Sequence, residues 1–459
     1  MRALVQPLVA ASLSLVFARA AVAQPAQKAD RYSFFMHGET HAELYRRALL
    51  PGSYGAVAVY DTALPVYQYV LLGARDQAIA RSQAGLDLEL AAWSRAELGS
   101  TTADAPLDGD IQTANVGYHR GPIVLRVGRQ HVAGGAARYA RFDGVLLDAQ
   151  LGDAFEGRAY AGLTVLPRWN QSPSYTYLGA AVDSDLKSPT LSAGTRERRD
   201  YWLSGARLGW ASRHVRAGLS FHEQHESGGL SRRTLTLDES MELSGTISAG
   251  ASASAELEAE RIAEARIWVD AAVTHELDWS FEWLHTEPAL FLSRQSVLSV
   301  FSADNYDEGG TRVALRASER ISLDGGAWLE LYSGSRPGAR SELALRVIAD
   351  RAASTFVRLT YTRVSTPDNG YHSLRSSLTR RIMARLSGTL EAYAYLYDRA
   401  IRSYRTSSVY SGTLEFRPVS AVGLLWGASL VRSPYATLDA QTQVRVAYDF
   451  DFSTVRGVP

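Results

Sequence analysis

Charged side chains recur at every second position along many segments of this chain. The set is Asp87, Glu89, Arg126, Asp148, Arg216, Glu256, Glu258, Arg266, Asp270, Asp278, Glu282, Arg312, Arg316, Arg346, Arg358, Glu415, Arg445 and Asp449, with the neutral but polar Gln130 in the same pattern. Burying such groups in lipid costs several kcal/mol each, so they must face water or one another. Their chemistry is that of a wet, charged wall. Acids cluster at Glu256, Glu258 and Glu260, and bases at Arg312, Arg316 and Arg346. Opposed acidic and basic walls would set up a transverse field, and rings of charge tune permeation. The alternative is that these groups pair and simply fill a closed interior.

A second candidate is the stretch 167–199, with Trp169, Tyr175 and Tyr177 near its start and Arg196, Arg198 and Arg199 at its end. A loop of this length is functional or disordered. Folded inward it would be a constriction, with arginines for anions and aromatics for stacking; a plain solvent loop is the other reading. Histidine spacing suggests metal twice, at His37 and His41 and at His222, His225 and Glu226. Neither set has a third ligand at fixed spacing, so no metal site and no cofactor is expected. No His-Glu-x-x-His, Gly-x-Ser-x-Gly or phosphate-loop motif occurs, and no Ser/His/Asp arrangement stands out. A non-enzyme is expected.

The elements that carry these charges read as strands. Val444, Val446, Tyr448, Phe450 and Phe452 fall on one face, and Gln443, Arg445, Ala447, Asp449 and Asp451 on the other. Leu277, Trp279, Phe281 and Trp283 similarly oppose Asp278, Ser280 and Glu282. Period two, repeated many times, argues strand rather than helix. Short joints alternate with long polar ones, as in an outer-membrane barrel with short periplasmic turns and long outer loops. The expected fold is all-β: a single transmembrane antiparallel β-barrel of about 20 strands (18–22). Its domains are a signal peptide (1–23), an N-terminal segment (24–80), the barrel (81–452) and a C-terminal tail (453–459). The segment 24–80 reads as a periplasmic extension, a plug or the first strands; 41–50 reads as a short helix, with Leu44, Ala48 and Leu49 near one face.

Aromatics recur near strand ends, among them Trp202, Trp210, Trp279, Tyr361, Tyr410, Trp426 and Tyr448. Girdles at the two membrane interfaces explain them. Tyr393, Tyr395 and Tyr397 share one face, and a ligand-stacking stripe is the alternative there.

Composition agrees with this picture. The chain has 459 residues, no cysteine and a formal net charge of +0. Disulfides and cysteine-based metal sites are excluded, and no basic excess points to nucleic acid. Arg2, the apolar run 3–17 and Ala21-Val22-Ala23 form an export-signal pattern.

One segment is unusually dense: Leu125-Arg126-Val127-Gly128-Arg129-Gln130, then Gly134-Gly135, then Arg138-Tyr139-Ala140-Arg141-Phe142-Asp143-Gly144-Val145. Its Arg-x-Gly-Arg-Gln and Phe-Asp-Gly elements resemble those of outer-membrane barrels of the alginate-export and related porin-like families. The resemblance covers about two strands and their joint, and implies a single-chain barrel conducting an anionic polysaccharide through an arginine-rich lumen. From the residues alone, Arg126, Gln130, Arg141 and Asp143 are expected to form a paired network bracing the joint.

The function expected is an outer-membrane channel of a Gram-negative bacterium, for passive or weakly selective diffusion of small hydrophilic or anionic solutes. Its partners would be outer-membrane lipid, the barrel-assembly machinery and small solutes, with a homo-oligomer left open. A plugged barrel with a surface-binding or envelope-structural role is the alternative, and an outer-membrane hydrolase is a third reading.

Overall fold

The computed structural model describes residues 32–49, 59–76, 84–99, 107–165, 201–226, 229–287, 305–334, 336–350, 354–367, 369–401, 403–434 and 436–451. The export-signal pattern, the 167–199 loop with its Trp169, Tyr175, Tyr177, Arg196, Arg198 and Arg199, Phe452 and the C-terminal tail lie outside them.

The strands run β1 (Tyr32–Leu49), β2 (Val59–Ala63), β3 (Pro65–Asp76), β4 (Gly85–Glu97), β5 (Leu107–Arg120), β6 (Ile123–Gly134), β7 (Arg138–Leu151) and β8 (Phe155–Thr164). They continue with β9 (Trp202–Ala211), β10 (Val215–Glu226), β11 (Gly229–Ser244), β12 (Ile247–Glu256), β13 (Arg261–Ala272), β14 (Leu277–Thr286), β15 (Tyr306–Ser318) and β16 (Ile321–Tyr332). The last are β17 (Arg336–Ile348), β18 (Thr355–Ser365), β19 (Gly370–Met383), β20 (Leu386–Ile401), β21 (Tyr404–Val419), β22 (Val422–Ser433) and β23 (Ala436–Asp451). Every pairing is antiparallel; apart from the β1–β3 pairing, chain neighbours pair in turn, and β23 returns to pair with β1 over Phe35–Leu44. β2 and β3 both pair with β1 and are one wall strand interrupted at Leu64. The sheet is therefore a closed barrel of 22 wall strands from 23 segments. Closure satisfies every edge, which a membrane-spanning sheet requires.

The helix expected over 41–50 is corrected: those residues up to Leu49 continue β1. The outward face of β1 (Met36, Gly38, Thr40, Ala42) is weakly apolar, so period two is faint there, while Leu44, Ala48 and Leu49 mimic a helical spacing. The described part of 24–80 stands in the wall.

The outer surface is apolar. Leu88, Val127, Leu208, Leu237, Ile267, Leu343, Leu390 and Trp426 all project outward and are exposed. A belt of this kind costs free energy in water and suits hydrocarbon.

Candidate pore lining and an inward hairpin

The inner face is a field of short cross-strand ion pairs. Arg266 donates to Glu282 at 2.5 Å, Arg312 to Asp324 at 2.9 Å and Arg316 to Asp278 at 3.2 Å. Asp148 accepts from Arg158 at 2.5 Å and lies 3.8 Å from Arg126. Arg375 of β19 donates to Glu391 of β20, and along β21 Arg417 donates to Glu415. At the closing seam Arg445 reaches Glu39 at 2.6 Å, and His37 contacts Asp449 at 2.8 Å. The expected opposed walls of single sign are therefore replaced by pairs between neighbouring strands. A guanidinium beside a carboxylate gains more from that neighbour than from a field across a wide, wet lumen.

Several of the expected residues sit differently. Glu258 and Glu260 lie in the turn after β12, and Glu258 accepts from Arg233 there. Glu256 is buried and accepts from the Arg233 backbone N–H and the Thr234 hydroxyl. Asp87 contacts His119 at 2.9 Å. Glu89, Arg216, Asp270 and Arg358 have no ion-pair partner among the described residues. Arg346 lies directly opposite Arg358 across β17 and β18. Its guanidinium sits 5.6 Å from the Phe356 ring, with no carboxylate partner among the described residues. Like charges placed opposite one another destabilise a strand pair unless something compensates them.

The histidine pairs have other tasks. His41 bonds Gln443 at 3.1 Å, His225 stacks on Trp202 at 4.0 Å, and buried His222 meets the Tyr160 hydroxyl at 3.0 Å.

The largest departure from a plain wall is the β6–β7 hairpin. β5 pairs with β6 only from Arg120 back to Ala114, opposite Arg129. β7 pairs with β8 only as far as Phe142, opposite Thr164. Beyond those points β6 and β7 remain paired with each other up to Gly134 and Arg138. The hairpin thus leaves the wall and crosses the inner face of β8 and β9. Its tip, a one-turn 3-10 helix Gly135–Ala137, docks on the far strands. There the Ala136 N–H donates to the Ser220 hydroxyl of β10 at 2.8 Å, and Arg138 pairs with Glu264 of β13.

Sequence makes this bend. Gly128, Gly144 and Gly162 face one another in one row across β6, β7 and β8. A Cβ at Gly128 would stand 2.3 Å from the Ala114 carbonyl oxygen, and Gly128 has a φ of 123°. Only glycine fits that conformation and that approach. Beneath the hairpin Val132, Ala140, Phe142, Leu146, Tyr160 and Leu203 form an apolar cluster, with Phe142 fully buried. At its base Arg129 donates two bonds to Asp143, at 2.7 and 3.0 Å, and Arg141 reaches Asp110 at 2.6 Å. Gln130 donates to the Gly144 carbonyl oxygen at 3.1 Å. A bracing network does stand at the joint, but its pairs differ from those expected: Asp143 is held by Arg129, Arg141 by Asp110, and Gln130 bonds the Gly144 backbone. Arg126 belongs instead to the wall, with Asp148.

Near the short turns, a recess of about 800 Å³ opens along the wall strands β10 to β15. Arg216, Glu242, Trp268, Asp270 and Arg312 border it, with Ser240, Ser248 and Ser280 among its lining.

No family model and no curated protein matches this chain. Among solved structures, it is similar to OccD3 (OpdP) of Pseudomonas aeruginosa, at 9% identity and a TM-score of 0.41, over 94% of this chain and 96% of that one. It is similar to the P pilus usher (PapC) translocation pore at 8% identity and a TM-score of 0.49, over 92% and 100%. It is also similar to OccK2 (OpdF) of Pseudomonas aeruginosa, solved in complex with glucuronate, at 12% identity and a TM-score of 0.40, over 92% and 98%.

Proposed function

We propose that this chain is an outer-membrane channel of a Gram-negative bacterium, passing small hydrophilic and anionic solutes by passive or weakly selective diffusion. The supporting observation is a closed barrel that is apolar outside and lined inside by ion pairs, with Arg346 and Arg358 side by side and no carboxylate paired to either among the described residues. A barrel of 22 strands encloses far more space than its own side chains fill. The paired charges keep the interior wet without binding any one ion strongly. Arg346 and Arg358 together give the path a local positive potential that favours anions.

The β6–β7 hairpin narrows the lumen, the task expected of the 167–199 loop. Its base is clamped by Arg129, Asp143 and Asp110, so the constriction is held at a fixed place. The resemblance of residues 125–145 to alginate-export barrels supports an anionic solute. The balanced interior favours small solutes over a polyanion, which needs a continuous cationic track. The pore-lining set is Asp87, Glu89, Arg126, Asp148, Arg216, Arg266, Asp270, Asp278, Glu282, Arg312, Arg316, Arg346, Arg358, Glu415, Arg445 and Asp449.

Reconstitution of the purified chain in planar bilayers tests this reading. Stepwise conductance with chloride favoured over potassium is expected, and bilayers that remain silent would overturn it.

A further inference from the structure

Four tyrosines stand in the lumen rather than in the lipid belt. On β20, Tyr393, Tyr395 and Tyr397 alternate with Ala392, Ala394 and Leu396, and Leu396 is exposed on the outer face together with Leu390. Tyr371 of β19 lies opposite Tyr397 and points the same way. The Tyr395 and Tyr397 rings are nearly parallel, 10° apart in tilt, with centres 6.5 Å apart. Tyr371 meets Tyr395 edge-on at 5.8 Å. Tyr371, Tyr395 and Tyr397 are in ring contact, and Tyr393 stands two residues before Tyr395 on the same face of β20.

The polar groups around these rings are already matched. Arg375 lies over the Tyr393 ring at 4.7 Å and donates to Glu391 at 2.9 Å. The Tyr393 hydroxyl donates to the same carboxylate, and the Tyr397 hydroxyl meets that of Ser407 at 3.0 Å. An anion therefore finds its cation occupied, and a cation finds the Tyr393 face covered. What remains is a run of half-buried aromatic faces bordered by hydroxyls. Such faces in water are costly unless something flat and apolar visits them. They suit a solute whose ring faces are C–H and whose edge is hydroxyl.

We propose that Tyr371, Tyr393, Tyr395 and Tyr397 form a stacking track for neutral sugar rings, so that the channel also takes up short oligosaccharides. A linked chain of rings can move from one tyrosine to the next without losing all contact at once. This inference rests on the reading of the barrel as an open channel.

The test uses maltotriose as probe, sorbitol as a ring-free polyol and choline as a cation, on the full chain in planar bilayers. Ion current should fall saturably with maltotriose and much less with sorbitol or choline. The combined Tyr393→Ala, Tyr395→Ala and Tyr397→Ala variant should raise the half-blocking concentration about ten-fold or more, from lost stacking. The matching Tyr→Phe variant, which keeps the rings, should change it less than about three-fold. If the triple alanine variant does not fold, Tyr395→Ala alone should give about a three-fold rise.

Equilibrium dialysis of maltotriose against detergent-folded protein is run in parallel. If wild type does not conduct, the channel reading fails, and the track stands or falls on the same ratios by dialysis. Equal blockade in the alanine variants overturns the proposal. So does blockade by sorbitol or choline as strong as that by maltotriose, or a conducting wild type that neither binds nor is blocked by maltotriose.

Discussion

Arg445 of the last strand donates to Glu39 of the first at 2.6 Å, across the seam where β23 meets β1. His41 and Gln443 make a second inward link at 3.1 Å, two residues further along each strand. The last strand is thus held by its lumen face as well as by its backbone ladder. Glu39→Arg places two guanidiniums together at the seam. With both groups partly exposed, the expected loss is about 0.5–1 kcal/mol. A lower urea midpoint for the heat-modifiable, folded band on gels checks it. Adding Arg445→Glu to this variant should recover most of the loss.

The apolar outer belt can be separated from the lumen face by placing arginine on each. Leu343 of β17 faces outward and is 57% exposed. Leu343→Arg should cost about 2–4 kcal/mol in a bilayer. Thr362 lies opposite Glu342 on the inner face. Thr362→Arg should cost less than about 1 kcal/mol, since it enters water beside a carboxylate. Folding titrations of both variants in lipid vesicles read the difference.

The strands that are plain in the sequence are those with strong contrast between faces, such as β14, where Trp279 and Phe281 oppose Asp278 and Glu282. β1 was hidden because Gly38, Thr40 and Ala42 give its lipid face little contrast. Periodicity also shows which residues share a face without showing which face it is. Tyr393, Tyr395 and Tyr397 look like an interface girdle by residue type, yet Glu391 on the same face and Leu390 and Leu396 on the other place them in the lumen. The inward hairpin was legible only as an unusual density of glycine and arginine. Where Arg129 and Asp110 meet depends on β6 leaving β5, which no local pattern encodes.

The hairpin's anchor is Phe142, which is fully buried against Tyr160 with ring centres 5.7 Å apart. Phe142→Ala should remove about 3–5 kcal/mol from the docking of the hairpin. The expected result is higher single-channel conductance with more open-channel noise, while the wall still folds. Limited proteolysis near the Gly134–Arg138 tip should quicken in parallel.

Asp143→Asn keeps the shape at the hairpin base and removes the charge that Arg129 grips. A charged hydrogen-bonded pair of this kind contributes about 1.5–3 kcal/mol, reduced here because both groups are partly exposed. The variant should show a smaller conductance change than Phe142→Ala and the same sign. Gly128→Val should fail to fold, because a side chain there meets the Ala114 carbonyl.

The claim that Arg346 and Arg358 bias a wet lumen toward anions is tested most directly by reversal potential. Wild type and the Arg346→Glu, Arg358→Glu double variant are compared in bilayers across a potassium chloride gradient. Wild type should favour chloride, and the double variant should lower the chloride-to-potassium permeability ratio by about three-fold or more. An unchanged ratio in a variant that folds and conducts would contradict the account.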